Sequence, residues 1–412
     1  MRILWLKTEL LHPIDKGGKI RTYQMLKELK KNHHITYLTL DDGSADADAL
    51  EKSAEYANET IVVPHRTAAK FSAKFYLELA GNTVSELPYF MQKYVSEAMF
   101  KVIEEKAKRE NFDVVVCDFL MPAVNMPEEI EIPIVLFQHN VEAMIWRRHF
   151  EVQKNAFKKL YLKNQWRKSF DYERETCRKF DFVVAVSSED AATMRNDYGI
   201  ENVADVPTGV DTEFFKRDET IGKNEYNLVF TGSMDWLPNE DAIDWFTREI
   251  YPLVKEKIPR VSLTVVGRNP FSTLVEMSKK DSSIVVTGRV PDVRPFMNEA
   301  SVYVVPLRIG GGTRLKIYEA MAMRLPIVST AVGAEGLPLK NGEEIVLRDT
   351  PTEFANAVAE LLTDKSRAKK IGAQAEKTVR ENFGWQRVVE IFAGICDNAI
   401  EMRTEKTKKA RV

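Results

Sequence analysis

Short β-branched apolar runs alternate with longer amphipathic stretches along almost the whole chain. The apolar runs predict strands at 2–6, 35–40, 60–63, 114–117, 134–137, 182–186 and 203–206. A second set follows at 228–231, 262–266, 284–287, 302–305, 327–329 and 345–347. Between most of them apolar positions recur at helical spacing, as at 20–30, 242–257, 314–323 and 353–362. This rhythm predicts α/β domains with doubly wound parallel sheets. Near-continuous apolar strands such as VVVC and VYVVP fit sheets covered on both faces. Two such sets exceed one compact sheet, so the pattern predicts two domains, divided in the polar, turn-rich segment 207–226. The charged tail beyond Met402 is expected to fray.

Composition narrows the classes. Of 412 residues, 44% are hydrophobic, enough for sizeable cores, and the formal net charge of -2 argues against a general nucleic-acid binder. Three scattered cysteines, Cys117, Cys177 and Cys396, form no CxxC pair and fit a reducing compartment. The start of the chain does not read as a secretory signal, and no stretch approaches the roughly 20 apolar residues of a membrane span. A cytoplasmic protein is expected, at most peripheral at the inner face of a membrane.

Open α/β sheets bind ligands at the carboxyl ends of their strands. The richest such end is Val302–Ala322, where a strand runs into Gly310, Gly311 and Gly312, then Thr313 and a helix. Thr313 suits a helix N-cap, the glycines allow a ligand close to the backbone, and Arg308, Arg314 and Lys316 add charge to the helix N-terminus. This pattern predicts an anion site. Glu319 lies three residues beyond Lys316, on a neighbouring part of the same helix face. Gly232-Ser233, Gly267-Arg268, Gly288-Arg289-Val290 and the 332–337 loop end or follow other strands of this half. Each alone reads as an ordinary turn; together they favour a nucleotide cleft. In the first half, Gly17 and Gly18 follow the first strand, and His139 ends another. A lone histidine is more often structural than functional.

Residues 147–168 carry eight Lys or Arg against one acidic residue, Glu151, with Phe150, Phe157, Tyr161 and Trp166 interleaved. The stretch fits anionic lipid headgroups or a polyanionic acceptor, and equally a solvated helix face.

These motifs resemble retaining glycosyltransferases of family 4, with the GT-B fold of two facing Rossmann-like domains. The resemblance rests on Gly17-Gly18, on SSEDAATMRNDYGIENVADVPTGVDTEFF, and on FTGSMDWLPNEDAIDWF, VVGRNP, VTGRVPDVRPFMNEASVYVVPL and GGGTRLKIYEAMAMRLPIVSTAVGAEGL. The combination looks like a bacterial subgroup associated with exopolysaccharide biosynthesis. It implies an acceptor-side domain over 1–208, a nucleotide-sugar domain over 209–384, and a last helix, about 385–403, crossing back to the first domain. It implies transfer from a nucleotide sugar to a glycan or lipid-linked glycan acceptor, with retention, no metal and no cofactor. His139 matches the family's histidine near the transferred sugar, and Glu319 the carboxylate that holds the ribose. Donor contacts are expected from Gly17, Gly18, Gly232, Ser233, Arg268, Val290, Arg308, Gly311, Gly312, Thr313, Arg314 and Lys316. Two departures stand out. Gly311 replaces the first of the family's two glutamates, and Ser233 stands where its arginine is expected, so Arg308, Arg314 and Lys316 are expected to clamp the diphosphate instead. The rival readings are a non-hydrolysing nucleotide-sugar epimerase and a catalytically silent sugar-nucleotide-binding protein.

Overall fold

The structure is a computed structural model that describes every residue except 15–16, 69–70, 154, 310–313 and 411–412. It divides into two compact units, residues 1–207 with 388–412, and residues 208–387. Each unit holds one all-parallel sheet, the outcome expected when strands are apolar on both faces and joined by helical crossovers.

In the first unit the strands are β1 (Arg2–Lys7), β2 (His34–Asp41), β3 (Glu59–Pro64), β4 (Val114–Asp118), β5 (Ile134–Phe137), β6 (Phe182–Ala185) and β7 (Val203–Asp205), in spatial order β3-β2-β1-β4-β5-β6-β7. In the second they are β8 (Asn227–Thr231), β9 (Ser262–Val266), β10 (Ile284–Val286), β11 (Val302–Val305), β12 (Ile327–Ser329) and β13 (Val346–Leu347), in order β10-β9-β8-β11-β12-β13. Strand order therefore reverses between β1 and β4 and between β8 and β11. These are the switch points at which such sheets open a crevice beyond their carboxyl ends.

The helices that shape the sites are α1 (Gly17–Leu29), α2 (Ala73–Asn82), α3 (Glu142–Val152), α4 (Ala156–Lys179), α5 (Leu237–Trp245), α6 (Leu315–Ala322) and α7 (Trp385–Ala410). They differ from the pattern-based expectation in four places. α1 starts at Gly17, so Gly17 and Gly18 form its first turn rather than a loop before it. α5 starts at Leu237, with Pro238 in its first turn, where the missing N–H costs nothing. It continues through a wide π turn over Phe246–Ile250 into Tyr251–Lys257. Pro252 cannot donate to the carbonyl four residues back and its ring would clash with it; the wider turn relieves both. The basic stretch 147–168 is divided between α3 and α4, and Asn155 caps the latter by accepting from the Lys158 N–H at 3.1 Å. The tail does not fray at Met402: α7 runs on to Ala410. Arg403 and Lys406 hold it to buried Asp181 at 3.3 and 3.7 Å. Among the described residues, no helix is long and apolar enough to cross a membrane.

Candidate functional site

In the first unit the carboxyl ends of β1, β4 and β5 meet around one carboxylate. Asp118, the last residue of β4, is fully buried. Its Oδ2 accepts from Trp5 Nε1 at 2.9 Å and from Thr22 Oγ1 at 2.7 Å, and lies 3.0 Å from the ammonium of Lys7, itself 2% exposed. Lys7 also donates to Thr22 Oγ1 at 2.8 Å. His139 Nε2 lies 2.7 Å from Asp118 Oδ1, though not aligned as a hydrogen bond. The imidazole stacks on Phe119 at 3.8 Å between ring centroids and leans on Phe137 at 4.5 Å.

Phe119 holds φ at +73°, a left-handed conformation that is a real outlier for a bulky residue. Its N–H donates to Phe137 O at 2.8 Å, and its ring carries the Lys7 ammonium at 4.2 Å. The same ring explains Gly18, where a Cβ would fall 2.9 Å from the phenyl edge; at Gly17 a Cβ would meet nothing.

Burial pushes the His139 pKa down to about 4, against the pull of Asp118, so the imidazole is neutral at pH 7. Burial also works to raise Asp118, but Lys7, His139 and the Thr22 hydroxyl override it and hold the carboxyl well below the usual range. Burial lowers Lys7 despite Asp118. The loop carrying His139 is tied down by Glu173 of α4, which is fully buried. Glu173 accepts from Gln138 Nε2, the Glu142 N–H and the Ala143 N–H, each at 2.9 Å, and from Tyr198 Oη at 2.8 Å. It thus caps the first turn of α3 from a distant helix. Burial nevertheless raises its pKa to about 7.

In the second unit the corresponding edge is built differently. Gly232 follows β8 and Gly267 follows β9, and the two backbones touch: a Cβ at Gly267 would fall 1.8 Å from Gly232 O. A Cβ at Gly232 would sit 2.9 Å from both Lys316 Nζ and Asn239 Nδ2. Lys316 donates to Asn239 Oδ1 at 2.8 Å and lies 4.3 Å from the centre of the Phe230 ring. Burial brings the Lys316 pKa down to about 7 and raises Glu319, in the same helix, to about 7; each charge opposes the other's shift. Beside them Arg268 donates from Nε to Ser233 Oγ at 2.8 Å and pairs with Asp235 at 3.3 Å. Asp235 also accepts from the Ser233 hydroxyl and from Asn269 Nδ2, the latter at 3.1 Å.

The structure thus brings together Gly232, Ser233, Arg268, Lys316 and Glu319. The other two expected cations, Arg308 and Arg314, each have partners of their own. Arg308 forms a bidentate pair with Asp241 at 2.6 and 3.1 Å, and Arg314 donates to Val332 O at 3.0 Å with Glu335 3.8 Å away. Gly311, Gly312 and Thr313 lie outside the described residues, and the residue flanking α6 is Arg314, which makes no side-chain cap. Val290 is half-buried against the second unit's core.

Sequence reasoning missed Lys7, Asp118, Phe119, Glu173, Asp235 and Asn239. The strand-end rule that singled out His139 would also have found Asp118. Asn239 sits in the first turn of the helix after β8. Glu173 had no local signal.

The chain matches two family models, one described as "Glycosyltransferase Family 4" over residues 16–214 and one as "Glycosyl transferases group 1" over residues 225–364. It is 21% identical over 404 residues to an uncharacterized 44.6 kDa protein in the cps region of Klebsiella pneumoniae, covering 94% of this chain and 97% of that protein. Its fold is similar to sucrose-phosphate synthase from Thermosynechococcus elongatus, with a TM-score of 0.67 at 16% identity, covering 96% of this chain and 98% of that one. It is also similar to Anabaena HepE in complex with UDP, with a TM-score of 0.67 at 13% identity, covering 97% of this chain and 100% of that one.

Proposed function

This chain is a glycosyltransferase of the family 4 type with the GT-B fold, and on that premise we propose that it moves a sugar from a nucleoside-diphosphate sugar to a hydroxyl of a glycan or lipid-linked glycan, with retention and without a metal ion. The observation that carries this reading is the second unit's strand edge. There Gly232 and Gly267 carry no side chain, Lys316 and Arg268 supply cations, and Glu319 supplies a carboxylate. The HepE structure, which holds UDP, adds support by likeness of fold.

The chemistry needs charge compensation on the departing diphosphate. Lys316 suits the task because burial leaves it easily deprotonated: an incoming dianion restores its proton, and the interaction strengthens as charge grows on the leaving oxygen. Arg268, held on a serine hydroxyl and a carboxylate, can turn to the same anion. Glu319 accepts from a ribose hydroxyl. His139, neutral and fixed by its aromatic neighbours, contacts the transferred sugar by hydrogen bonding rather than by charge. With retention, a departing phosphate oxygen takes the acceptor proton, so no side-chain base is assigned.

The basic stretch 147–168 is proposed to touch anionic membrane. Phe157 and Leu160 are exposed beside exposed Lys158, and in α2 the only buried residue is Asn82, which leaves Leu77 and Tyr76 in solvent. Phe150 and Trp166 stack on each other at 5.6 Å and contribute less.

The test is to incubate the chain with nucleoside-diphosphate sugars of several bases and follow release of the nucleoside diphosphate with a glycan acceptor present. Release that needs acceptor and survives EDTA is expected, with the anomeric configuration kept. Turnover of the donor without acceptor would point to the epimerase instead, and strict dependence on Mg²⁺ or Mn²⁺ would overturn the metal-free reading.

A further inference from the structure

Lys316 reaches the second unit's strand edge from α6, but the group that seats its ammonium belongs to another helix. Asn239, in the first turn of α5, is 7% exposed, whereas Lys316 is half-buried and opens to solvent. Both sides of the Asn239 amide are engaged. Its Nδ2 donates to Ser233 O at 2.8 Å, and its Oδ1 accepts from Lys316 Nζ at 2.8 Å. Turning the amide over would set an oxygen against a carbonyl and an NH2 group against an ammonium, so the two partners fix its orientation.

Two further features shape the seat. The Phe230 ring centre lies 4.3 Å from Nζ, and Gly232 carries no side chain where a Cβ would fall 2.9 Å from both Nζ and the Asn239 Nδ2. A flexible four-carbon stem therefore ends at a defined place. The choice of an amide matters as much as its position. A neutral oxygen fixes the ammonium without neutralising it. A carboxylate at the same point would answer the charge and hold the lysine protonated before any anion arrived. The charges that act on Lys316 sit on or beside its own helix: Glu319 favours the charged form and Arg314 opposes it. α5 faces it with the neutral amide and β8 with the Phe230 ring. Arg268 and Asp235, beside Ser233, pair with each other.

We propose that Asn239 is a positioning residue for the diphosphate: buried itself, it seats the Lys316 ammonium at the end of β8 and leaves that charge free to meet an anion. The assignment rests on the transferase reading, in which Lys316 compensates the departing diphosphate.

The experiment uses the whole chain. Uridine, guanosine and adenosine diphosphates are titrated by calorimetry at pH 7, and the tightest of them is taken to Asn239→Ala, Lys316→Met and the double variant. Lys316→Met is expected to weaken binding by roughly tenfold or more, and Asn239→Ala by roughly fivefold. In the Lys316→Met background Asn239→Ala should add little, because it acts through that ammonium. An amide that only shaped the Ser233 loop would weaken binding by the same factor in both backgrounds, and that result overturns the proposal.

A second measurement counts protons, by repeating the titration at pH 8 in buffers of different ionisation enthalpy. There the free diphosphate is fully ionised, and the Lys316 amine, lowered to about 7 by burial, is largely uncharged. The parent should therefore take up about one proton on binding, and Lys316→Met should lose that uptake. Asn239→Asp, close in shape, should charge Lys316 beforehand, so that uptake falls away and affinity drops by about tenfold. If Asn239→Asp binds and takes up protons as the parent does, the proposal is overturned, whether or not Asn239→Ala folds. A weakened Lys316→Met beside a normal Asn239→Ala overturns the seat alone and spares the clamp. A Lys316→Met that binds like the parent removes the clamp, and the seat with it. Failure of all three diphosphates to bind overturns the donor reading, and the proposal falls with it.

Discussion

The two strand edges answer the same problem, ionised groups at the end of a parallel sheet, in opposite ways. Around Asp118 every charge is buried and compensated inside the protein: Lys7 sits against the carboxylate, Trp5 and Thr22 donate to it, and His139 is held neutral. Around Gly232 the groups are more open, and their partners are exchangeable. Arg268 holds a serine hydroxyl and the exposed carboxylate of Asp235, and Lys316 rests on a neutral amide. The first arrangement is finished before any ligand arrives and serves orientation; the second is completed by an anion. Burial alone does not mark a binding group. What marks it is whether its charge is already answered.

The strongest way to break this contrast is Asp118→Ala. It strands the Lys7 ammonium in the core and should cost about 3–5 kcal/mol in urea unfolding, the usual result of removing one member of a buried pair. Glu319→Gln, at the open edge, should not lower the unfolding midpoint while donor use falls sharply. Similar stability losses in both would erase the distinction. Next in size, Lys316→Ala should weaken nucleoside-diphosphate binding by roughly tenfold or more. Arg308→Ala should change it by less than about threefold, because that guanidinium is already spent on Asp241. The reverse order, measured by calorimetry, would place the clamp at Arg308.

A third test uses pH. Below about 6.5 the unfolded chain takes up a proton on His139 that the native state refuses until about pH 4. The His139 contribution is therefore fully present above that range and is lost as pH falls through it. Glu319 runs the other way. Its raised pKa makes its contribution full at low pH and lost as pH rises from about 4.5 through 7. His139→Phe and Glu319→Gln should each flatten its own part of the stability–pH curve, with opposite signs. Equal signs would contradict the assignment of the two environments. The smallest effect is expected from Ser233→Ala, which releases Arg268 from one hydrogen bond and should change diphosphate affinity by no more than about fivefold.

All thirteen strands were legible in the sequence, most clearly the inner ones, β4, β5 and β8, which are buried on both faces and leave a near-uninterrupted apolar run. Helix starts were less so. Gly17 and Gly18 lie inside α1, where the Phe119 ring leaves no room for a side chain at Gly18, and α5 begins ahead of its apolar periodicity, at a leucine–proline pair. Of the candidate residues, His139 and Lys316 could be read from their places after a strand and at a helix start. That Arg308 would turn to Asp241, and that Glu173 would cap α3 from inside α4, depends on pairings between remote segments that no local pattern encodes.

The chain leaves the first unit at 207 and returns to it at 388. On its return, Phe392, fully buried, packs on Trp5 at 5.6 Å and on Phe137 at 5.2 Å. During synthesis the first sheet therefore emerges early but stays without this cover until the rest of the chain has left the ribosome. The second unit, one continuous segment, can close before it. The first half to be made is the last to be completed, and a ribosome that stops short of residue 392 releases a finished second unit beside a sheet with its aromatic face bare.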